Sequence, residues 1–263
     1  ILKTSWMGFI QRASRQLAQL FCKERLVMSS SQKPDLDWES RWKDGRTGWH
    51  RDEVNDRLIQ YHGRLLEGAN AEKKLNVFVP LCGKTVDMLW LNEQGHHISG
   101  VDLVRQALDD FVSENKLTST VSSVKNGDGE EVTLIKAGEN DCFSLFPSDL
   151  FKVDCTALGQ VDAAWDRGSY VALSPEIRPR YAENMAAVIK PGGRVLMEVY
   201  DYVQSEHAGP PFSTPNDEIT SAFGKNFTIE IMQTEDALDY IKLRFPITTR
   251  FDRSMVLLVR KAN

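Results

Sequence analysis

The sequence has few cysteines and no long hydrophobic run. Its 263 residues include four cysteines, none in a C-x-x-C pair. This pattern excludes a disulfide framework and a zinc-finger type of site, and it indicates reduced thiols in an intracellular protein. No apolar run approaches the roughly 18 to 20 residues needed to cross a bilayer, so we expect no membrane-spanning segment.

The chain also lacks an excess of basic residues. A formal net charge of -5 gives no electrostatic reason to expect a nucleic-acid partner. The five histidines show no H-E-x-x-H or other ligand spacing, so we predict no metal site. Hydrophobic residues at 41% and charged residues at 26% are typical of a globular protein that buries one sizeable core.

The most informative stretch of the chain, Leu75 to Asp102, has few glycines. An apolar run ends at Val79, a turn follows through Gly83, and a second strand-like run ends in Asp102, nineteen residues after Gly83. This is the βαβ layout of a nucleotide-binding sheet, in which the acid after the second strand accepts hydrogen bonds from ribose hydroxyls.

The turn has only one of the glycines that a pyrophosphate cradle needs. A dinucleotide site requires G-x-G-x-x-G, and the first glycine of a phosphate loop would stand at Phe78. A ligand with a ribose but no phosphate therefore fits better, and S-adenosyl-L-methionine is the common one. Cys82 in this turn has no histidine or basic partner nearby in sequence except Lys84, so we expect it to pack against the cofactor and not to act as a nucleophile.

The N-terminal segment differs in composition from the rest. Residues 1–31 are a basic extension with apolar residues at helical spacing, and we expect residues 32–263 to form a single domain. Residues 1–27 resemble a mitochondrial presequence, whereas the alternative is an upstream extension or surface helix with Met28 as the usual start. We favour the second interpretation and a cytoplasmic location, with a mitochondrial location as the alternative.

Several motifs carry a family resemblance. The helix, Pro-Gly-Gly turn and strand over Ile189 to Met197 resemble class I S-adenosylmethionine-dependent methyltransferases. Five further motifs, in the same order along the chain, resemble the thiopurine S-methyltransferase family: Trp38-Glu39-Ser40-Arg41-Trp42 with Gly45 and Trp49-His50, Pro80-Leu81-Cys82-Gly83-Lys84, Gly100-Val101-Asp102, Trp165-Asp166-Arg167-Gly168, and Gly209-Pro210-Pro211-Phe212. The resemblance runs from about Asp35 to Lys261.

The resemblance implies an α/β fold with a doubly wound, mostly parallel, seven-stranded sheet, helices on both faces and antiparallel strands at the C-terminal end. Alternating strand and helix patterns agree with this architecture. An Asn-Gly-Asp-Gly hairpin signal precedes the segment that we predict as the third strand. The predicted strands are 75–79, 97–101, 132–135, 161–165 and 194–200, closed by 227–232 and 255–260.

The implied activity is S-adenosylmethionine-dependent S-methylation of aromatic and heterocyclic thiols by a monomer. Two alternatives stay open: a methyltransferase for another soft nucleophile, such as a selenium, tellurium or inorganic sulfur species, and a non-catalytic S-adenosylmethionine-binding module. The second would be expected to lose Arg167 or the aromatic residues near the N-terminus, and the sequence has both.

The resemblance also implies a set of site residues. Arg167 is the predicted catalytic residue, and a structural ion pair with Asp166 or another acid is the alternative. For Gly138 and Glu139, predicted beside the adenine, the alternative is a surface turn, and for the tryptophans it is a core anchor. The predicted cofactor residues are Trp38, Trp42, Leu81, Gly83, Asp102, Gly138, Glu139 and Arg167, and the predicted substrate residues are Trp49, Pro210, Pro211 and Phe212.

Overall fold

The structure is a computed structural model, and it describes residues 37–67 and 74–262. The predicted extension over residues 1–31 lies outside the described residues. Within the described residues, no helix combines the length and the apolar character that crossing a membrane requires.

One mixed β-sheet organises the chain. Its nine strands lie in the order β3-β4-β5-β2-β1-β6-β7-β9-β8. The strands are β1 (Asn76–Val79), β2 (His97–Asp102), β3 (Ser119–Lys125), β4 (Glu131–Ala137), β5 (Phe143–Pro147), β6 (Val161–Arg167), β7 (Ile189–Tyr202), β8 (Phe227–Asp236) and β9 (Phe251–Arg260).

Helices connect most of these strands. The helices are α1 (Trp38–Lys43), α2 (Asp56–Leu66), α3 (Asp87–Glu93), α4 (Arg105–Glu114), α5 (Cys155–Leu158), α6 (Arg178–Val188), α7 (Asn216–Phe223) and α8 (Leu238–Ile241). The side chain of Asn55 caps α2 by accepting hydrogen bonds from the main-chain nitrogens of Arg57 and Leu58. Leu58 and Leu65, two turns apart on this helix, are buried on its apolar side.

The predicted fold class is confirmed. Strands β5, β2, β1, β6 and β7 run parallel, so their carboxyl ends meet at one edge of the sheet. The closing pair β8 and β9 is antiparallel, as predicted. The predicted strand number was wrong, because the seven predicted strands include neither β3 nor β5, and the sheet has nine strands.

The third parallel strand was also misassigned. The sequence predicted it over residues 132–135, but that segment is β4, which runs antiparallel to its neighbour. The parallel strand beside β2 is β5, whose residues Phe143 to Phe146 are all buried. A buried run this short, Phe-Ser-Leu-Phe, is not long enough for its periodicity to identify it as a strand.

The Pro-Gly-Gly segment lies inside a long strand. Helix α6 ends at Val188, and β7 begins at the next residue. Between Val161 and Ala163 of β6 the register with β7 shifts from Ile189 to Arg194, and Gly192 in this irregular stretch has φ +77°. The predicted turn is therefore a bulge at the start of the strand.

Two apolar clusters cover the sheet. One contains Phe78, Phe146 and Tyr181, and the other contains Val77, Leu108 and Trp165. Neighbouring residues of β1, Val77 and Phe78, belong to different clusters because successive side chains of a strand point to opposite faces. Both faces of the sheet are therefore buried, and its carboxyl edge is left for a ligand.

Candidate active site

Asp102 ends β2 at the carboxyl edge of the parallel strands. Its Oδ2 accepts a hydrogen bond from the main-chain nitrogen of Gly83 at 2.7 Å, and its Oδ1 accepts one from that of Val104 at 2.9 Å. The carboxylate thus joins the turn after β1 to the loop before α4. Each carboxylate oxygen has a second lone-pair direction, so the side chain can also accept hydrogen bonds from a ligand.

Burial controls the charge of this acid. Asp102 is 9% exposed. Desolvation raises the pKa of Asp102 to about 6, and the hydrogen bonds from Val104 and Gly83 act in the opposite direction. At neutral pH the side chain is therefore mostly ionised, in the form that accepts hydrogen bonds from a diol.

The turn after β1 adopts an unusual backbone conformation. Leu81 has φ +41° and Gly83 has φ +51°, while the main-chain nitrogen of Cys82 donates to the carbonyl of Val101 at 2.9 Å. A Cβ added to Gly83 would lie 3.2 Å from Cζ2 of Trp42. Glycine is needed at this position both for its φ and for the close approach of the indole ring.

Cys82 points into the protein and not into the edge of the sheet. The side chain is buried, and a Cβ added to Gly100 would stand 2.8 Å from its Sγ. Desolvation, with a smaller contribution from Asp102, raises the pKa of the Cys82 thiol well above its usual value. A thiol that stays protonated is a poor nucleophile, which agrees with the expectation that Cys82 does not act as one. The side chain packs in the core beside Gly100 and not toward the predicted cofactor position.

Three tryptophans form a cluster above this turn. The ring centroids of Trp38 and Trp49 are 5.2 Å apart, and those of Trp42 and Trp49 are 6.2 Å apart, both in edge-to-face geometry. The cluster packs on Val104 and Ala107, at the loop after Asp102 and the start of α4. The three rings therefore belong to a small apolar core, as the alternative interpretation stated. They also border the turn in which Gly83 donates its hydrogen bond to Asp102.

Arg167 ends β6 at the same edge. Its Nη1 donates a hydrogen bond to the main-chain carbonyl of Trp49 at 2.8 Å. The alternative of an ion pair with Asp166 is wrong, because that carboxylate accepts from Tyr181, Ser169 and Tyr170 instead. Within the described residues, Arg167 forms no ion pair with any carboxylate. Most of its guanidinium donors are therefore available to a ligand.

Asp166 and Ser169 fix the strand end that carries Arg167. Asp166 is fully buried, and the Tyr181 hydroxyl donates to its Oδ2 at 2.6 Å. The Ser169 hydroxyl donates to the carbonyl of Pro80 at 2.7 Å, which joins the end of β6 to the end of β1. The two neighbouring residues therefore have different roles. Asp166 points inward and holds the backbone, and Arg167 points to the carboxyl edge of the sheet.

The Gly-Pro-Pro-Phe loop approaches the same strand end. The main-chain nitrogen of Phe212 donates to the carbonyl of Val171 at 2.7 Å, just beyond Arg167 in the chain. Buried Arg178 donates to the carbonyl of Ser213 at 2.9 Å and pairs with Glu218 at 2.7 Å. Pro210, Pro211 and Phe212 remain half-buried on this anchored loop.

Two predicted cofactor residues, Gly138 and Glu139, do not lie at the carboxyl edge of the parallel strands. Gly138 and Glu139 lie in the turn between the end of β4 and the start of β5. Because β4 and β5 are antiparallel and Ala137 pairs with Phe143, this turn stands at the amino end of β5. Phe143 pairs with Ile98 at the start of β2, whereas Asp102 pairs with Pro147 at its end. The prediction that this turn lies at the ligand edge was wrong, because it rested on the misassigned third strand, and the surface-turn alternative fits better.

The structure brings other residues to the edge instead. Strand β5 ends at Pro147, the register partner of Asp102, and the main-chain nitrogen of Ser148 donates to the Asp102 carbonyl at 2.9 Å. The available sequence signal was the mostly apolar segment Phe143 to Phe146 followed by Pro-Ser-Asp, which is typical of a strand ended by turn residues.

His50 belongs to one of the family motifs, but the sequence analysis assigned it no role in the site. It follows Trp49 directly, and its Nε2 lies 3.4 Å from Oδ1 of Asp52. Burial and the charge of Lys84 lower the pKa of His50 below its ordinary value, with a further lowering contribution from Arg167. The imidazole is therefore neutral at physiological pH.

The fold, with its ligand-binding residues at the carboxyl edge of the sheet, indicates a class of protein. The structure is similar to the 1,6-didemethyltoxoflavin-N1-methyltransferase of Burkholderia thailandensis, with a TM-score of 0.55 and 16% identity over 95% of this chain and 90% of that one. It is also similar to the magnesium protoporphyrin IX methyltransferase of Synechocystis, with a TM-score of 0.55 and 12% identity over 89% of this chain and all of the other. The fold is that of S-adenosylmethionine-dependent methyltransferases.

The sequence comparisons identify the family within this class. A family model described as thiopurine S-methyltransferase matches residues 34–261. The thiopurine S-methyltransferase of Bos taurus is 32% identical over 77% of this chain and 80% of its own length. That of Pseudomonas fluorescens is 34% identical over 85% of this chain and 98% of its own length. The chain belongs to the thiopurine S-methyltransferase family, as its motifs predicted.

Proposed function

We propose that the protein transfers the methyl group of S-adenosyl-L-methionine to the sulfur of aromatic and heterocyclic thiols, thiopurines included. The observation that carries this proposal is the family match over residues 34–261, which spans every element at the carboxyl edge of the sheet. Thiols are named as acceptors because the curated relatives from cattle and Pseudomonas are thiopurine S-methyltransferases.

Asp102 and the turn beside it fit the cofactor. A buried carboxylate that is ionised at neutral pH suits the two ribose hydroxyls, and the left-handed backbone at Leu81 and Gly83 leaves room for the methionyl part. Trp38 and Trp42 would cover this part of the ligand from α1. The adenine would lie toward Pro147 and Ser148, because their strand is the neighbour of β2 on the side away from β1.

The acceptor would lie between the ends of β6 and β7. Trp49 is joined to Arg167, and Phe212 is joined to Val171 in the segment after it, so both aromatic residues border one strand end. A planar thiol between such rings is excluded from water. The thiolate would attack the methyl carbon in line with the sulfonium, and charge disappears as the bond forms, so a dry apolar slot favours the transition state.

Arg167 would hold the acceptor as a thiolate. Its charge is permanent at all pH values of interest, and its planar group offers several donors. Aryl thiols are expected to ionise more easily than the cysteine thiol, at about 8.5, so no strong general base is required.

Methyl transfer from labelled S-adenosylmethionine tests this function. The acceptors are thiophenol, 6-mercaptopurine, a selenophenol, sulfide and an aryl amine, each at several concentrations against saturating cofactor. We expect the highest kcat/KM with aryl thiols. Methylation of the selenol or sulfide alone would overturn thiol specificity, and cofactor binding without any transfer would overturn the enzymatic assignment.

We also propose that the protein acts as a cytoplasmic monomer. Asp102 and Arg167 are each held by hydrogen bonds from within the same chain, which supports a site formed by a single subunit. Cys82 and Cys142 are free thiols, in agreement with a reducing compartment. Sedimentation equilibrium of the purified protein and imaging of a fluorescent fusion test the two statements separately.

A further inference from the structure

Two arginines converge on one exposed tyrosine beside the candidate active site. The guanidinium carbon of Arg51 lies 5.5 Å from the ring centroid of Tyr240, and that of Arg244 lies 5.2 Å from the same centroid. Tyr240 is on α8, and Arg244 is on the segment that leads from α8 into β9. Two cations therefore share one aromatic ring, which is 51% exposed.

In the part of the chain that the structure describes, these two cations have no carboxylate at ion-pair distance. Among the described residues, neither Arg51 nor Arg244 forms an ion pair within 4.0 Å. Arg250, on the same segment as Arg244, shows the usual arrangement, because its Nη1 lies 2.9 Å from Asp201 and 2.7 Å from Asp252. The pair of arginines on Tyr240 is thus a site of uncompensated positive charge.

Burial and like charges together disfavour this arrangement. Desolvation is the largest cause that lowers the pKa of Arg51, followed by the charges of Arg244 and Arg167. Glu198 acts in the opposite direction, but its carboxylate accepts a hydrogen bond from Nε of Arg253 at 2.9 Å and is already neutralised. An anion placed between the arginines would remove their repulsion.

The cluster adjoins the proposed acceptor pocket. Arg51 is two residues from Trp49, whose carbonyl accepts the hydrogen bond from Arg167. The segment after α8 contacts the residue that supports the Gly-Pro-Pro-Phe loop: the rings of Phe245 and His207 are 4.5 Å apart, and Nε2 of His207 lies 3.2 Å from the carbonyl of Pro210. Arg51 is also close enough to Arg167 for the two charges to interact, so an acceptor held at Arg167 has Arg51 as a neighbour.

We propose that Arg51 and Arg244, aligned by Tyr240, bind an anionic group on the ring of the acceptor, so that the preferred substrates are aryl thiols that carry a carboxylate. This inference rests on the proposed function. A carboxylate matches the planar donor fork of arginine, and the tyrosine ring restricts both side chains before the ligand arrives. Arg167 binds the sulfur, and the two other arginines bind the distal charge.

The test compares 4-mercaptobenzoate with thiophenol as acceptors of the same enzyme. The measured quantity is the ratio of their kcat/KM values, for the wild type and for Arg51→Gln, Arg244→Gln and Tyr240→Leu. We expect the wild type to favour 4-mercaptobenzoate, and each arginine variant to lower the ratio by about tenfold, a change typical of losing a charge-assisted hydrogen bond. Tyr240→Leu should lower the ratio less, because both charges remain.

Arg46→Gln is the matched control, since Arg46 is an exposed arginine paired with Asp44 on the N-terminal side of Trp49. Its ratio should equal that of the wild type. An unchanged ratio in both Arg51→Gln and Arg244→Gln overturns the proposal, as does a wild type that prefers thiophenol. An equal decrease in the control would show a general effect of surface charge and would also overturn it.

A binding measurement separates this proposal from the proposed function. Calorimetric titration with 4-hydroxybenzoate, which has no thiol, reports on the arginine pair in the absence of methyl transfer. Weaker binding to Arg51→Gln than to Arg46→Gln supports the anion site even if no thiol is methylated. Methylation of thiophenol with no binding of 4-hydroxybenzoate leaves the proposed function intact and overturns the anion site.

Discussion

Arg167 and Trp49 are joined by a hydrogen bond of 2.8 Å from the guanidinium to a main-chain carbonyl. These two residues come from distant parts of the chain, the end of β6 and the loop between α1 and α2. The predicted catalytic arginine therefore also positions the predicted wall of the acceptor pocket. Changes at either residue should affect acceptor binding, although they act through different groups.

The first prediction concerns Trp49. Trp49→Ala should raise KM for thiophenol by about two- to tenfold, because a stacked aromatic contact contributes about 0.5 to 1.5 kcal/mol beyond its buried area. Cofactor affinity should change much less. Steady-state kinetics at saturating cofactor measures the effect, and Trp49→Phe is the control that keeps an aromatic ring. Wild-type kinetics for Trp49→Ala would locate the acceptor elsewhere.

Arg167→Lys tests the geometry of the charge. The ammonium keeps the charge but loses the planar fork and cannot hold both the Trp49 carbonyl and a thiolate in the same way. We expect kcat with 6-mercaptopurine to fall by about tenfold or more, the effect of losing a hydrogen bond to a charged group. Circular dichroism checks that the variant is folded, and an unchanged kcat would contradict a role at the transferred methyl.

Asp102 gives a prediction for the cofactor. Asp102→Ala should weaken S-adenosylmethionine by about 1.5 to 3 kcal/mol, the range for a hydrogen bond to a charged group. Burial raises the pKa of Asp102 to about 6, so protonation below pH 6 removes the ionised acceptor that the ribose requires. Wild-type affinity should therefore fall as pH decreases through 6, by up to about tenfold per pH unit.

Asp102→Asn is the control for this pH dependence. The amide cannot ionise, so its affinity should be low and nearly constant between pH 5 and 8. Calorimetric titrations of both proteins over this range give the comparison. A wild-type affinity that does not change across pH 6 would mean that the carboxylate is not the ribose acceptor.

Gly83 should not tolerate a side chain. Its φ of +51° is in the left-handed region, which costs other residues about 1 to 2 kcal/mol, and an added Cβ would press on Trp42 at 3.2 Å. Gly83→Ala should lower both thermal stability and cofactor affinity. Gly63→Ala is the control, because a Cβ there meets nothing within 4 Å in α2. Equal stabilities of the two variants would contradict this argument.

The hydroxyl of Tyr181 should be important for stability. Tyr181→Phe removes the donor at 2.6 Å from the fully buried Asp166 and should destabilise the fold by about 1 to 3 kcal/mol. Burial raises the pKa of Asp166, and loss of the tyrosine donor should raise it further. The folded variant then binds its proton more tightly than the unfolded chain, so its destabilisation should be larger at pH 7 than at pH 4.

Urea denaturation of wild type and Tyr181→Phe at the two pH values measures this effect. A destabilisation that is the same at pH 4 and pH 7 would mean that Asp166 is not the group that responds. Tyr61→Phe is a suitable control, because the Tyr61 hydroxyl bonds to the half-buried, neutral side chain of Gln233.

The N-terminal prediction is tested by truncation. Deletion of residues 1–27 should leave thermal stability and turnover nearly unchanged, because the family match begins at residue 34. Differential scanning calorimetry and the thiophenol assay compare the two proteins. An insoluble or inactive truncation would mean that this segment contributes to the fold.

The sequence determined the features that depend on local chemistry. The strand, turn and acid from Val77 to Asp102 could be predicted because their order and spacing are fixed along the chain. Arg167 was predicted at a strand end for the same reason. The seven-stranded prediction and the misplaced Gly138 and Glu139 have a common cause, since a short buried run such as β5 has no periodicity to identify it.

Only the tertiary structure decided which strand ends meet. The antiparallel direction of β4 sends Gly138 to the edge away from Asp102, whereas the parallel direction of β5 brings Pro147 beside it. Hydrogen bonds between distant segments, such as Arg167 to Trp49, have no local signature. Sequence spacing fixes what one segment can do, but contacts across a sheet depend on strand order and direction, which are set by packing of the whole chain.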